Sequence, residues 1–482
     1  SHYAPFLTDI KDGEMVGKTF TRQELFDYVA VTDGERFDAG SVYYNQVHDV
    51  HPPLHYWLLN AVCSLFPNTF TKWTGLALNY VLYMLTMFVL YKTVRKLGYS
   101  RGCGTAAAVL YGLSVIGLST FVMIRMYMLL TLLTVVLMYL IVCLMQEFKP
   151  KYCILTGLVL LAGLITQYYF VFYAFFLCAA YVIYALVKRE YKALAWFVPC
   201  ALVGALSLLL VFPACIDHLF ADNIVSGGNA MENLRNFAQY PVRLRTFISF
   251  ITHGLKAAII IALLAIIALG VYFRKFKAAA KDKRLDLRAL VLIVPAFVVL
   301  VIVALISPVD EPRYIYNLVP AFVLAACLLL YLLEESLGSF EREGLIKTAA
   351  LLCIMALALW QARCAPPDYL YPEYAEYDAI VAEHSDDKCV YFSDNRFEAI
   401  TQDLLQLMAF DDFYVSDDTD LTGALDYVGG ADEFVAYVDI SEFWSSGYDP
   451  DKIISALADA SDYDKAELLY QNGLSATYLI SK

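Results

Sequence analysis

Apolar residues in this chain come in long blocks, broken at intervals by short basic or aromatic stretches. From Thr74 onward the blocks are Thr74–Val94, Cys103–Phe121, Tyr127–Met145, Tyr152–Thr166, Phe170–Val187, Ala193–Phe212, Ile259–Phe273, Ala289–Ile306, Tyr314–Leu333 and Lys347–Trp360. Runs of this length with few charges predict membrane-spanning helices, ten in all, several of them short. Lysines and arginines gather in every second connection: Lys92, Arg95 and Lys96, then Lys149 and Lys151, then Lys188, Arg189 and Lys192, then Arg274 to Arg288. That alternation puts those connections in the cytoplasm and the others outside. An even number of spans leaves both ends of the chain on the outer side.

Two regions break the rhythm. Before the first span, Leu54 to Phe66 is apolar and helical in pattern but covers only about 20 Å, against a hydrocarbon core of roughly 30 Å. With Tyr56 and Trp57 near its start it reads as an interfacial helix. Residues 1–73 are therefore expected to form an extracytoplasmic loop with that helix, and residues 74–365 a transmembrane domain. After Pro366-Pro367 the pattern changes. Short apolar runs (Cys389–Phe392, Asp412–Val415, Phe434–Asp439, Ala476–Ile480) alternate with helical patterns (Phe397–Phe410, Asp451–Ala460, Asp464–Asn472), which predicts a small α/β domain with a mostly parallel sheet over 366–482.

Composition agrees with this division. The 482 residues are 60% hydrophobic and 17% charged, and the mean hydropathy is +0.57, well outside the range of ordinary soluble domains. The net charge of −13 is concentrated in the tail. Asp368 to Lys482 holds 26 Asp or Glu against 5 Lys or Arg, so the tail is an acidic soluble domain and a nucleic-acid partner is excluded. Most of the eleven cysteines lie in apolar runs, with neither a disulfide framework nor a CxxC metal pattern.

Candidate chemistry concentrates in His48-Asp49-Val50-His51-Pro52-Pro53-Leu54-His55. Two prolines fix their own φ and hold the preceding residues extended, so Asp49 and His51 sit on a stiff strap just before a helix N-terminus. Asp49 is suited to general-base work on an acceptor hydroxyl or, more plainly, to a helix cap. His48, His51 and His55 admit a divalent metal, His51 and His55 being spaced for one helix face, or a hydrogen bond to phosphate or hydroxyl. Arg125, in Ile124-Arg125-Met126-Tyr127, lies between two spans on the outer side, where an arginine serves a phosphate or snorkels to a headgroup. Arg313-Tyr314 lies at the same level, so the two arginines could flank one phosphate; the alternative pairs Arg313 with Asp310 or Glu311. Gln167-Tyr168-Tyr169 is another outer junction, where tyrosines are commonly belt residues. The outer loop from Asp217 to Thr252, with Gly227-Gly228, Arg235, Arg243 and Arg245, is long enough to cover a site.

Asp49-Val50-His51-Pro52-Pro53-Leu54, Arg125-Met126-Tyr127 and Arg313-Tyr314, spaced across a polytopic chain, resemble the bacterial relatives of protein O-mannosyltransferases and of the lipid A aminoarabinose transferase. These are family 39-like glycosyltransferases of the C-type membrane fold. The resemblance covers about Gln46 to Trp360, and the strap is its most specific part. It implies an inverting hexosyl or pentosyl transfer from a polyprenyl-phosphate sugar to an extracytoplasmic protein, lipid or wall polymer, at the bacterial plasma membrane. Asp49 and His51 would then be catalytic, Arg125, Tyr127, Arg313 and Tyr314 would bind the donor phosphate, and Gln167, Tyr168 and His48 would lie near substrate. Partners would be membrane lipids and the lipid-linked sugar. The family's principal acid follows a first span in an Asp-Glu motif; neither is present here, and Asp9, Asp12 and Glu14 stand in no matching context. The expectation is that span and acid precede Ser1, making eleven spans in the intact protein. Gln167 also departs from the pattern, since many relatives carry His there.

A transporter or flippase for lipid-linked sugars is the rival reading. It predicts ionisable residues at span centres, interrupted helices and paired repeats. The charges here sit at span ends, and no repeat is evident.

Overall fold

The structure, a computed structural model, describes residues 15–220, 233, 237–275, 286–337, 343–393, 400–401, 403–440 and 447–482. Asp9, Asp12, Glu14, Gly227, Gly228 and Arg235 lie outside the described residues. The chain divides into two compact units: Tyr43–Val62 with Thr71–Leu370, and Ser1–Val42 with Cys63–Phe70 and Tyr371–Lys482.

The first unit is helical. Its elements in chain order are α1 (Ala39–Val47, entering from the other unit), α2 (Leu54–Cys63), α3 (Lys72–Lys96), α4 (Arg101–Gly112), α5 (Val115–Val122), α6 (Tyr127–Gln146), α7 (Pro150–Leu164) and α8 (Phe170–Val187). They continue with α9 (Tyr191–Leu206), α10 (Cys215–Phe220), α11 (Tyr240–Gly254), α12 (Lys256–Lys275), α13 (Leu287–Ile306), α14 (Val319–Leu337) and α15 (Glu343–Cys364). Seven of the described helices are long and apolar enough to cross a membrane, nine if two bent pairs count as one span each. Pro150–Leu164 is apolar but shorter. The chain is a polytopic helical membrane protein.

The bends have local causes. The Cys103–Phe121 run is not one straight helix: α4 and α5 meet at 59°. Ser114 makes the break, its hydroxyl donating to the Tyr111 carbonyl at 2.7 Å while accepting from the Gly117 amide at 2.9 Å, so it ends one helix and caps the next. The run read as Ile259–Phe273 is preceded by α11, which meets α12 at 86°. Its arginines hid it from the hydropathy pattern.

α6 is the axis of the unit. Sixteen of its twenty residues are buried, and Thr131 and Thr134 return their hydroxyls to the carbonyls one turn back, so no polar group is left exposed to the apolar packing. α7 and α9 pack through small residues: a Cβ on Gly157 would stand 2.6 Å from the Cys200 carbonyl oxygen. Close backbone approach of this kind is how helices pair where lipid removes the hydrophobic drive.

The second unit is a six-stranded mixed sheet, in the order β1 (Lys18–Thr21), β3 (Asp412–Ser416), β2 (Lys388–Phe392), β4 (Glu433–Asp439), β6 (Ser475–Ser481), β5 (Lys465–Gln471). Only β2–β3 and β2–β4 are parallel, so the expectation of a mostly parallel sheet is corrected. β1 comes from the N-terminal region and pairs antiparallel with β3; residues 15–42 are thus structured with the acidic tail and are not a free loop. Asp464–Asn472, read as helical, is strand β5. A bulge between Leu468 and Tyr470 breaks its alternation, and Asn472-Gly473 turns it into β6. Along β2, Cys389 and Tyr391 face one core and Val390 and Phe392 the other. Helices cover both faces, as a sheet buried on two sides requires.

Asp403 lies fully buried in this unit, accepting from Tyr391 Oη at 3.0 Å and Asn472 Nδ2 at 2.8 Å. Burial, reinforced by nearby Asp439, pushes its carboxyl up to about 6, against those hydrogen bonds. The folded unit then holds this proton more tightly than the unfolded chain does. The contribution is fully present below the unfolded value of about 3.9 and is lost as pH rises through the folded value, a change of roughly 3 kcal/mol. Hydrogen-exchange protection of the β2 amides should fall between about pH 4 and pH 6 on this account, and Asp403→Asn should flatten that slope.

Candidate functional site

The strap runs between α1 and α2 as expected from its prolines. α2 begins at Leu54, so His51 precedes the helix and does not share a face with His55, which corrects that part of the metal reading. The Leu54 amide donates to the Ile165 carbonyl at 2.9 Å, tying the start of α2 to the end of α7. Within the strap His51 Nδ1 lies 3.1 Å from Asp49 Oδ2, and the Val50 amide donates to Asp49 Oδ1 at 2.6 Å. A carboxylate can only accept, so Nδ1 carries the hydrogen and Nε2 is left as an acceptor. Burial pushes the Asp49 carboxyl up, but the His51 bond, the Val50 amide and the charge of Arg125 outweigh it and hold it below the usual carboxylate range. Asp49 is ionised at neutral pH.

Arg125 stands at the turn between α5 and α6, half-buried. Burial opposes its charge, while Tyr56, which hydrogen-bonds to it, and Tyr127 favour it; Arg313 repels it. Among the described residues no carboxylate lies within ion-pair distance of Arg125. Arg313 follows Pro312 in a 3₁₀ turn (Pro312–Leu318) that leads into α14, with Nε 3.0 Å from Glu311 Oε2 and its guanidinium 5.6 Å from the Tyr314 ring. One alternative raised for it therefore holds: Arg313 pairs with Glu311. Asp310 instead accepts from Arg243 at 2.8 Å. Tyr314 leans on Tyr169, ring centroids 4.9 Å apart. The structure thus brings Asp49, His51, Tyr56, Arg125, Tyr127, Arg313 and Tyr314 into one cluster at the N-terminal end of α6.

Other sequence candidates fall differently. His48 is exposed, its Nδ1 2.8 Å from the Tyr44 carbonyl one turn back. Gln167 is buried and caps its own turn, accepting from the Tyr168 amide at 2.7 Å. Tyr168 donates to His218 Nδ1 at 2.9 Å, and His218 Nε2 donates to the Val47 carbonyl at 3.0 Å, so these two residues clamp the start of the strap. His55 is wholly buried, with neither ring nitrogen hydrogen-bonded; burial and Arg125 push it down to about 4, so it is neutral. Among the described residues no three of His, Cys, Asp or Glu group as a metal site would require, so the three histidines do not assemble one.

Three positioning residues were given no role by the sequence: Asn79 and His218 went unnoticed, and Arg243 stood only as a member of the outer loop. Asn79 in α3 is fully buried and donates to the carbonyls of Phe121 at 2.9 Å and Met123 at 2.8 Å, satisfying the end of α5 and fixing the turn that presents Arg125. Arg243 holds Asp310 and both oxygens of Ser307, setting the loop before Arg313. His218 is the third. A lone amide inside an apolar span was the available signal for Asn79; the others depend on contacts distant in sequence.

Residues 50–216 match the family described as dolichyl-phosphate-mannose-protein mannosyltransferase. The family match covers most of the strap, Arg125 and Gln167, and the resemblance read from those motifs stands. Solved structures give weaker likenesses. ArnT from Cupriavidus metallidurans, bound to undecaprenyl phosphate, is 13% identical, with 95% of this chain and 96% of that one covered, at a TM-score of 0.45. The Archaeoglobus fulgidus oligosaccharyltransferase is 9% identical over 86% and 65% (TM-score 0.45). Arabinofuranosyltransferase AftD from Mycobacteria is 14% identical over 99% and 41% (0.46). No curated protein matches the chain.

Asn79→Leu should strip a buried donor from the Phe121 and Met123 carbonyls, of which Met123 keeps its bond from the Arg125 amide at 2.8 Å, and should cost roughly 1–3 kcal/mol, read as a lowered Tm. Tyr80→Leu, on the exposed face of the same helix, should not. Equal Tm values for the two variants would remove Asn79 from its positioning role.

Proposed function

We propose that this chain is an inverting glycosyltransferase that moves a sugar from a polyprenyl-phosphate donor to an acceptor on the extracytoplasmic side of a bacterial plasma membrane. The observation that carries the reading is Arg125: a half-buried guanidinium beside a second one, Arg313, with tyrosines around it and, among the described residues, no carboxylate in ion-pair distance. Two cations held side by side in a weakly hydrated setting favour an anion whose charge grows from one to two, as that of a lipid-tailed phosphodiester does when its sugar leaves. Arg125 and Arg313 would grip the phosphate, with Tyr127 and Tyr314 donating hydroxyls.

In the transfer, an acceptor oxygen attacks the anomeric carbon from the face opposite the phosphate. The bond from that carbon to the phosphate oxygen breaks, its electron pair leaves on the phosphate, and configuration inverts. Charge grows on the leaving phosphate, where the two arginines stabilise it. The acceptor's proton must go to a base. Asp49 is a weak one because its carboxyl is held low, so its role in this reading is to orient His51, whose Nε2 takes the proton or a hydrogen bond from the substrate. The acceptor would be a protein, lipid or wall polymer.

Arg125→Ala should lower transfer from labelled polyprenyl-phosphate sugars by roughly 10²–10³-fold while the protein stays folded. Near-normal transfer would remove the phosphate contact. Reconstituted vesicles in which labelled donor changes leaflet with no glycosidic bond broken would favour the flippase instead. Asp49 titrates below its usual range, so its charge is fully present above about pH 4 and is lost only as pH falls further. Asp49→Asn should therefore depress turnover at neutral pH, where the wild-type carboxylate is already ionised, and equal turnover of the two proteins at about pH 7 would remove Asp49 from its role.

A further inference from the structure

At the far end of α3 and α6 from Arg125 lies an open cleft of about 590 Å³, lined by Tyr91, Lys92, Arg95, Lys96, Arg101 and Tyr139. Since α6 starts at Tyr127 in the catalytic cluster and runs twenty residues, its other end lies about 28 Å away. Four of the six lining residues are cations, and none of the described lining residues is a carboxylate. The walls are fixed. Arg95 donates to the Tyr99 carbonyl, Gln146 on α6 donates to the Lys96 carbonyl, and Ser100 caps α4 just before Arg101 by accepting from the Cys103 amide at 3.0 Å. Glu147, close enough to feel the charge of Lys96, is committed to Lys149 at 2.8 Å. Asp286, on another side, pairs with Arg288 at 3.1 Å.

We propose that this cleft binds the phosphate headgroup of an anionic phospholipid. Four like charges converging on one open space repel one another unless an anion sits among them. The cleft gathers residues from the end of α3 and the start of α4 and is lined by Tyr91 and Tyr139, and tyrosines favour the boundary between hydrocarbon and headgroups. A headgroup there has its phosphate among the cations and its chains along the exposed apolar face of α3, which carries Val81, Met84, Leu85 and Phe88. Basic pockets between spans on the side with the basic loops are suited to this, each cation adding to the attraction. The site is separate from the donor site in position and does not depend on the reaction proposed above.

Native mass spectrometry of the purified full chain, released from nanodiscs of equal phosphatidylglycerol and phosphatidylcholine, tests the proposal. The wild type should retain phosphatidylglycerol over phosphatidylcholine by roughly tenfold or more. Lys92→Gln/Lys96→Gln/Arg101→Gln, which leaves Arg95 and its bond to Tyr99 in place, should lose that preference. Lys188→Gln/Arg189→Gln/Lys192→Gln, which removes three cations from another basic connection, should keep it. Equal retention of the two lipids by the wild type, or equal loss in both triple variants, overturns a specific site in favour of diffuse attraction. Displacement of the retained lipid by millimolar inorganic phosphate also overturns it, since the cleft would then be a soluble-anion site. These wild-type readings decide the question even if a triple variant does not fold.

Discussion

Everything in the helical unit that bears on chemistry follows from holding a guanidinium where water is scarce. Arg125 cannot shed its proton, and burial penalises its charge. The fold compensates with polar groups in place of an acid: the Tyr56 hydroxyl bonds to it and Tyr127 stands beside it. A carboxylate within bonding distance would neutralise Arg125 and leave nothing to attract an anion. Asp49 is near enough to feel the charge but is engaged with His51 and the Val50 amide. The net result is a positive locus in which Arg313 is paired with Glu311 while Arg125, among the described residues, has no carboxylate within ion-pair distance.

That locus is built from segments far apart in the chain, and each has its own anchor. The strap is clamped by His218 and Tyr168 at one end and by the Leu54–Ile165 bond at the other. Asn79 closes the end of α5 and so sets the Arg125 turn. Arg243 and Asp310 secure the loop before Arg313. α6 joins these because it is enclosed along its length and carries Tyr127 at its first turn. An apolar interior makes each such bond costly to break, which is how side chains on separate loops keep one geometry.

The sheet unit obeys the rules of water. Its two cores flank a central parallel pair of strand contacts, and Asp403, one of its buried acids, is held by Tyr391 and Asn472. Asp403 and Arg125 are opposite solutions to one problem. The acid is free to hold a proton and so escape its charge; the arginine has no such freedom and must find partners or a ligand.

Hydropathy determined that the chain crosses a membrane repeatedly and that an acidic α/β unit follows, and the breaks between apolar runs put Asp49, His51, Arg125 and Arg313 in connections and not inside spans. These properties are local, since twenty apolar residues span a bilayer and a Pro-Pro pair stiffens a strap whatever surrounds them. Tertiary structure decided the rest. β1 joining the distant tail, the bulged β5 reading as a helix, the breaks that make α4–α5 and α11–α12 bent pairs, and the service of Asn79, His218 and Arg243 all rest on contacts between residues far apart in sequence. Such contacts leave no period in the chain, because a hydrogen bond across a bundle constrains two positions and not the spacing between them.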